Sequence, residues 1–112
     1  MKRVYICGSF KFKDKIEELE KLLKAERIGF EVSKSPDARG MLGCLEKIDR
    51  TDVVYVVNPD GYVGKSVSVD IGYAYARNKP IYVMFPVEDP PIMNLVKGVL
   101  SFEELVDFVK ER

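Results

Sequence analysis

Three short runs, "RVYICGS", "DVVYVVN" and "IYVMF", are rich in β-forming residues and carry almost no polar alternation. A strand with one face in water alternates apolar and polar residues. A strand buried on both faces does not, and that condition belongs to parallel sheets covered by helices on either side. The helices are present between the runs. In "FKDKIEELEKLLKAER", Phe12, Ile16, Leu19 and Leu23 recur at spacings of four, three and four, with Lys and Glu on the opposite face. "MLGCLEKIDR" reads as a shorter helix, and residues 66–78 as another that Lys79-Pro80 ends. "SFEELVDFVKER" closes the chain as a helix with Ser101 as N-cap and Glu104 completing a capping box. "FEVSKS" and "VKGVL" supply two further strands, and "PDARG" and "PVEDPP" read as loops.

Strands alternating with helices in 112 residues predict one α/β domain spanning 1–112. The expected architecture is a flavodoxin-like or Rossmann-like sandwich: a five-stranded parallel sheet in the order 2-1-3-4-5, with helices on both faces. In such folds ligands bind beyond the carboxyl ends of the strands, near the switch point between the first and third strands. Three loops lie there: "CGSF", "NPDGYVGKS" and "FPVEDPP".

Composition narrows the function. The 18 basic and 18 acidic side chains cancel, so the basic stripe expected for polymeric nucleic acid is not indicated. No apolar run approaches a membrane span, and "MKRVYICGSF" turns polar too soon for a secretion signal, so a cytoplasmic location is expected. The chain has no His, and Cys7 and Cys44 form no CxxC motif, which argues against a metal site and rules out a histidine base. No cofactor is indicated. Gln and Trp are also missing while charged residues make up 32%, a bias that fits a heat-adapted source.

Asp70 is the conspicuous residue. It lies three positions after Val67 and four before Ala74, on the apolar stripe of its helix. A carboxylate on a core-facing stripe is costly without a task or a partner, although an Asp in a first helical turn also suits the helix dipole. Tyr5, on the first strand, can supply a hydroxyl partner; the alternative for it is ordinary core packing. "CGSF" offers Gly8 and Ser9 where a strand turns into a helix, a place suited to an oxyanion or equally to simple N-capping by Ser9. "NPDGYVGKS" is longer than a connector needs to be, which favours a binding loop. The charged run "EELEKLLK" reads as a solvated helix face, and the two cysteines as buried, inert thiols.

"VYICGSF" followed by "DVVYVVNPDGYVGKSVSVDIGYAYARNKPIYVMF" resembles the nucleoside 2-deoxyribosyltransferase superfamily, nearest its small branch of 2'-deoxynucleoside 5'-phosphate N-hydrolases. The likeness runs from Val4 to about Phe85, with a weaker match at "LVKG". It implies cleavage or transfer at the N-glycosidic bond of a nucleoside or nucleoside monophosphate, with Asp70 as nucleophile and Tyr5 beside it. It also implies sugar and 5'-end contacts from Gly8 and Ser9; the strand-end loops that the fold nominates add Phe10 and, in "NPDGYVGKS", Asn58, Asp60, Gly61, Gly64, Lys65 and Ser66 as candidate substrate-binding residues. A homodimer is expected, to which Tyr62, Tyr73 and Tyr75 add a cluster of aromatics suited to an interface. Some positions depart from the family pattern. Asp70 stands where the family has Glu, Cys44 where it has an Asp that assists the leaving base, and Gly64 and Met93 where the hydrolases have phosphate-contacting serines. A non-catalytic nucleotide-binding or sensor module using the same pocket is the alternative reading, and a plain interaction domain the third.

Overall fold

A computed structural model describes residues 1–33 and 39–112 of the chain. Five strands form one all-parallel sheet in the order β2-β1-β3-β4-β5. They are β1 (Val4–Cys7), β2 (Phe30–Val32), β3 (Val53–Val56), β4 (Ile81–Val83) and β5 (Gly98–Val99). The helices are α1 (Lys13–Ala25), α2 (Met41–Asp49), α3 (Lys65–Ala76), α4 (Pro90–Met93) and α5 (Phe102–Lys110), and a 3-10 turn at Phe10–Phe12 leads into α1. The end of "FEVSKS" and most of "PDARG" lie outside the described residues.

Strand burial follows the sheet order. Every residue of β1 and β3, the first and central crossover strands, is buried, whereas β2 at the edge is half-buried. The absence of polar alternation in the two inner runs is thus the direct consequence of cover on both faces. Alternate residues divide between two cores. Val4, Ile6, Val53, Tyr55 and Val57 pack against α1 and α5. Tyr5, Cys7, Val54 and Val56 pack against α2 and α3. The period of two in a strand therefore fixes which helix each β1 side chain meets, and it sends Tyr5 towards α3.

The ends of the helices obey local chemistry. Ser101 Oγ accepts from Glu104 N at 3.1 Å, and the Glu104 carboxylate accepts from Ser101 N at 2.9 Å, completing the expected capping box. "PVEDPP" is not wholly loop. Pro90 and Pro91 open the single turn α4, where a preset φ and a missing N–H cost nothing at the first helical positions. Among the described residues no helix is long and apolar enough to cross a membrane.

Candidate active site

Beyond the carboxyl ends of β1 and β3 lies a cleft of about 800 Å³. Its walls come from the loop after β1, the first half of α1, the start of α2 and the first turns of α3. Gly8 makes the first of these possible. A Cβ at Gly8 would sit 2.7 Å from the Val57 carbonyl oxygen, so only glycine lets the chain leave β1 this close to the end of β3.

Asp70 borders the cleft and is only 3% exposed. It occupies the buried face of α3 with Val67, Ile71 and Ala74, as the spacing predicts. Tyr5, fully buried on β1, donates its hydroxyl to Asp70 Oδ2 at 3.0 Å. The other oxygen, Oδ1, is buried without a hydrogen-bond partner among the described residues. Burial raises the Asp70 carboxyl from 3.8 to about 6, and the Tyr5 hydrogen bond pulls the other way. Burial likewise pushes the Tyr5 hydroxyl far up, with Cys7 and Asp70 adding to it, so Tyr5 remains a protonated donor. Cys7 is driven up by its own burial and by Asp70 and Cys44.

The result is a carboxylate in a dry setting, oriented through one oxygen and uncommitted at the other. Such a group attacks or stabilises an electron-poor carbon far better than a solvated carboxylate, because no water shell has to be stripped away.

Of the residues singled out in the sequence, Gly8, Ser9, Phe10, Gly64, Lys65, Ser66 and Asp70 line the cleft. Phe10 is 72% exposed at its rim. Gly64 is the N-cap residue of α3 and provides no side-chain cap, so the first N–H groups of that helix open beside Lys65 and Ser66.

Asn58, Asp60 and Gly61 lie outside the lining. Asn58 is fully buried, donates to Phe85 O at 2.8 Å, and accepts from Met84 N and Phe85 N, each at 3.0 Å. Its polar atoms tie the end of β3 to the end of β4. Asp60 Oδ1 accepts from Tyr62 N at 2.9 Å and closes a local turn. Gly61 has φ +79°, and a Cβ there would lie 2.7 Å from Pro86 O. These three residues shape the loop.

Several cleft residues were not singled out as site residues. Glu17 and Glu20, part of the charged run read as solvated, line the cleft with Lys13. Spacings of four and three from Lys13 place all three on one flank of α1 beside the buried Ile16 stripe. That flank was the available signal, and it points to a site only once α1 is known to border the strand ends. Cys44 also lines the cleft, half-buried, and its thiol donates to Ser33 O at 3.6 Å. Met93, by contrast, accepts from Val87 N through its sulfur at 3.4 Å and lies outside the lining. Among the described residues no group of three metal-ligating side chains occurs.

No protein-family model and no curated protein sequence matches the chain. Solved structures do. A conserved protein from Enterococcus faecalis V583 superposes with a TM-score of 0.77 at 16% identity, over 100% of this chain and 99% of that one. A 2-deoxyribosyltransferase from Bacillus psychrosaccharolyticus gives 0.74 at 13% identity, over 94% and 90%. A CMP N-glycosidase from Clostridium botulinum gives 0.57 at 19% identity, over 99% and 100%. At these identities the likeness is one of fold, and it is the fold that the resemblance in the strand and loop motifs implies.

Proposed function

We propose that residues 1–112 form one domain that cleaves or transfers at the N-glycosidic bond of a nucleoside or nucleoside monophosphate, with Asp70 as nucleophile and Tyr5 as the residue that orients it. The observation that carries this reading is the Asp70 carboxylate, buried at the cleft, with Oδ2 held by Tyr5 and Oδ1 unpartnered among the described residues. The fold shared with a 2-deoxyribosyltransferase and a CMP N-glycosidase supports it.

In the first step a carboxylate oxygen of Asp70 bonds to the anomeric carbon as the bond from that carbon to the base nitrogen breaks. The electron pair leaves with the base, which takes a proton from water. In the second step water, or the nitrogen of another base, attacks the same carbon and releases the carboxylate. Two displacements return the original configuration. Tyr5 keeps its proton throughout and holds the carboxylate in line. Ser9 and the uncapped start of α3 with Lys65 and Ser66 suit the sugar's hydroxyls and a 5'-phosphate.

Cys44 favours a second reading, a nucleotide-binding module without turnover. Its thiol is engaged with Ser33 O and is a poor acid for a leaving base. The test is incubation with the common deoxynucleosides and their 5'-monophosphates, with free base and base exchange followed by chromatography. Release or exchange that Asp70→Asn abolishes supports the enzyme. Tight binding of a ligand that stays intact supports the module.

The working state proposed is a cytoplasmic homodimer. Leu42, Val69 and Tyr75 are exposed apolar side chains on α2 and α3 that a second copy would cover.

A further inference from the structure

The mouth of the cleft has two sides: the loop after β1, with Ser9 and Phe10, and the loop before α3, with Tyr62 and Gly64. Among the described residues no backbone hydrogen bond joins residues 9–12 to residues 59–64. What joins them is one side chain. Lys11 Nζ lies 3.8 Å from the centroid of the Tyr62 ring and 3.7 Å from Asp60 Oδ2, with the Phe12 ring at 5.1 Å. Asp60 in turn holds Tyr62 through its backbone N–H, so one cation touches both the ring and the carboxylate that orients the same residue.

Two further facts give this contact a direction. Tyr62 lines the cleft, whereas Lys11, whose ammonium lies over the ring, does not. The ring also rests on the start of α3: a Cβ at Gly64 would meet the Tyr62 hydroxyl at 3.1 Å. Tyr62 is therefore held by Lys11 on the ring and by Asp60 on its N–H, with Gly64 close beside its hydroxyl. A tyrosine 47% exposed in a glycine-containing loop would otherwise sample several rotamers.

We infer that Lys11 is a positioning residue that fixes Tyr62 as a stacking wall for the planar base of the ligand. The proposal rests on reading the cleft as a nucleoside or nucleotide site. A flat aromatic surface held rigid at a cleft mouth suits a heterocycle of any sequence of ring atoms, and stacking of this kind is worthwhile only when the ring does not have to be ordered first. A cation over one face fixes the ring by electrostatic attraction to its π-system and leaves the other face for a base.

The test compares Lys11→Met and Lys11→Arg, each in a full chain that also carries Asp70→Asn so that the probe survives. Deoxycytidine 5'-monophosphate and 2-deoxyribose 5-phosphate are the probes, with binding followed by calorimetry. Lys11→Met should weaken binding of the nucleotide about two- to fivefold, the scale of an exposed cation–π contact, and leave the base-free sugar phosphate unchanged. Lys11→Arg should restore nucleotide binding, since guanidinium stacks on a tyrosine face equally well. The contact itself has its own readout: the ε-methylene protons of Lys11 should be shifted upfield by the Tyr62 ring and return to the ordinary lysine position in Tyr62→Leu. Equal loss for both probes, no loss for either, or an unshifted Lys11 would overturn the proposal while leaving the functional reading standing. Failure of the Lys11-containing protein to bind either probe would overturn the functional reading, and this inference with it.

Discussion

Replacing Asp70 with Asn should make the protein more stable at neutral pH and should change how its stability depends on pH. The carboxyl rises from 3.8 to about 6 because folding buries it. Between those values the folded chain binds the proton more tightly than the unfolded chain, so this group's contribution is fully present below 3.8 and is lost as pH rises through about 6. The whole penalty is worth about 3 kcal/mol. Asn is nearly isosteric, keeps an oxygen to accept from Tyr5, and carries no charge. It does place an amide N–H₂ where Oδ1 has no partner among the described residues, at a cost of about 1–2 kcal/mol. The expected net gain at about pH 7.5 is therefore ~1–2 kcal/mol, or roughly 4–8 °C in melting temperature.

Urea unfolding of both proteins at about pH 4, 5, 6 and 7.5 isolates the effect, because every other titrating group cancels in the difference. Tyr5 and Cys7, which pack against Asp70, are pushed up and stay protonated over this range. The stability of Asp70→Asn relative to the parent should rise by about 2–3 kcal/mol across the series and level off near neutrality. A difference independent of pH, or a parent that gains on the variant as pH rises, would refute the argument that burial holds this carboxylate above its ordinary range. A stability cost at the proposed nucleophile is the trade expected where activity needs a strained group.

The remaining predictions concern the neighbours. Tyr5→Phe removes the hydrogen bond that lowers the Asp70 carboxyl, so the acid limb of any pH–activity profile should move upward and the rate at neutral pH fall about 10–100-fold; an unmoved limb would contradict the role of Tyr5. Asn58→Ala leaves the Phe85 N–H and carbonyl unpaired, while Met84 N keeps its bond to Val56 O, and should cost about 2–4 kcal/mol in thermal or urea unfolding, with activity per folded molecule retained; a selective loss of substrate affinity would return Asn58 to the binding site. Light scattering at micromolar concentration should give twice the 12.8 kDa of one chain, and a mass near one chain would remove the homodimer.

Much of the architecture can be read from the sequence because it follows from local periodicity. Two-residue alternation is lost in the runs around Val4 and Val53, and that loss alone requires a sheet covered on both faces. A repeat of three and four residues places Asp70 beside Val67 and Ala74, and the Ser101–Glu104 spacing builds its own capping box. These relations hold within one element, where backbone geometry fixes the distances. Contacts between elements are set by packing across crossovers dozens of residues long. Only the assembled fold brings the Tyr5 hydroxyl to Asp70, 65 residues away, and leaves Oδ1 without a partner among the described residues. Only the placement of α1 over the strand ends turns Glu17 and Glu20 from a charged helix flank into a cleft wall. Asn58 shows the limit most plainly. Its position after β3 suggests a ligand contact, yet the turn that follows β4 offers Met84 and Phe85 backbone groups that satisfy it first, and a buried amide takes the partners nearest to hand.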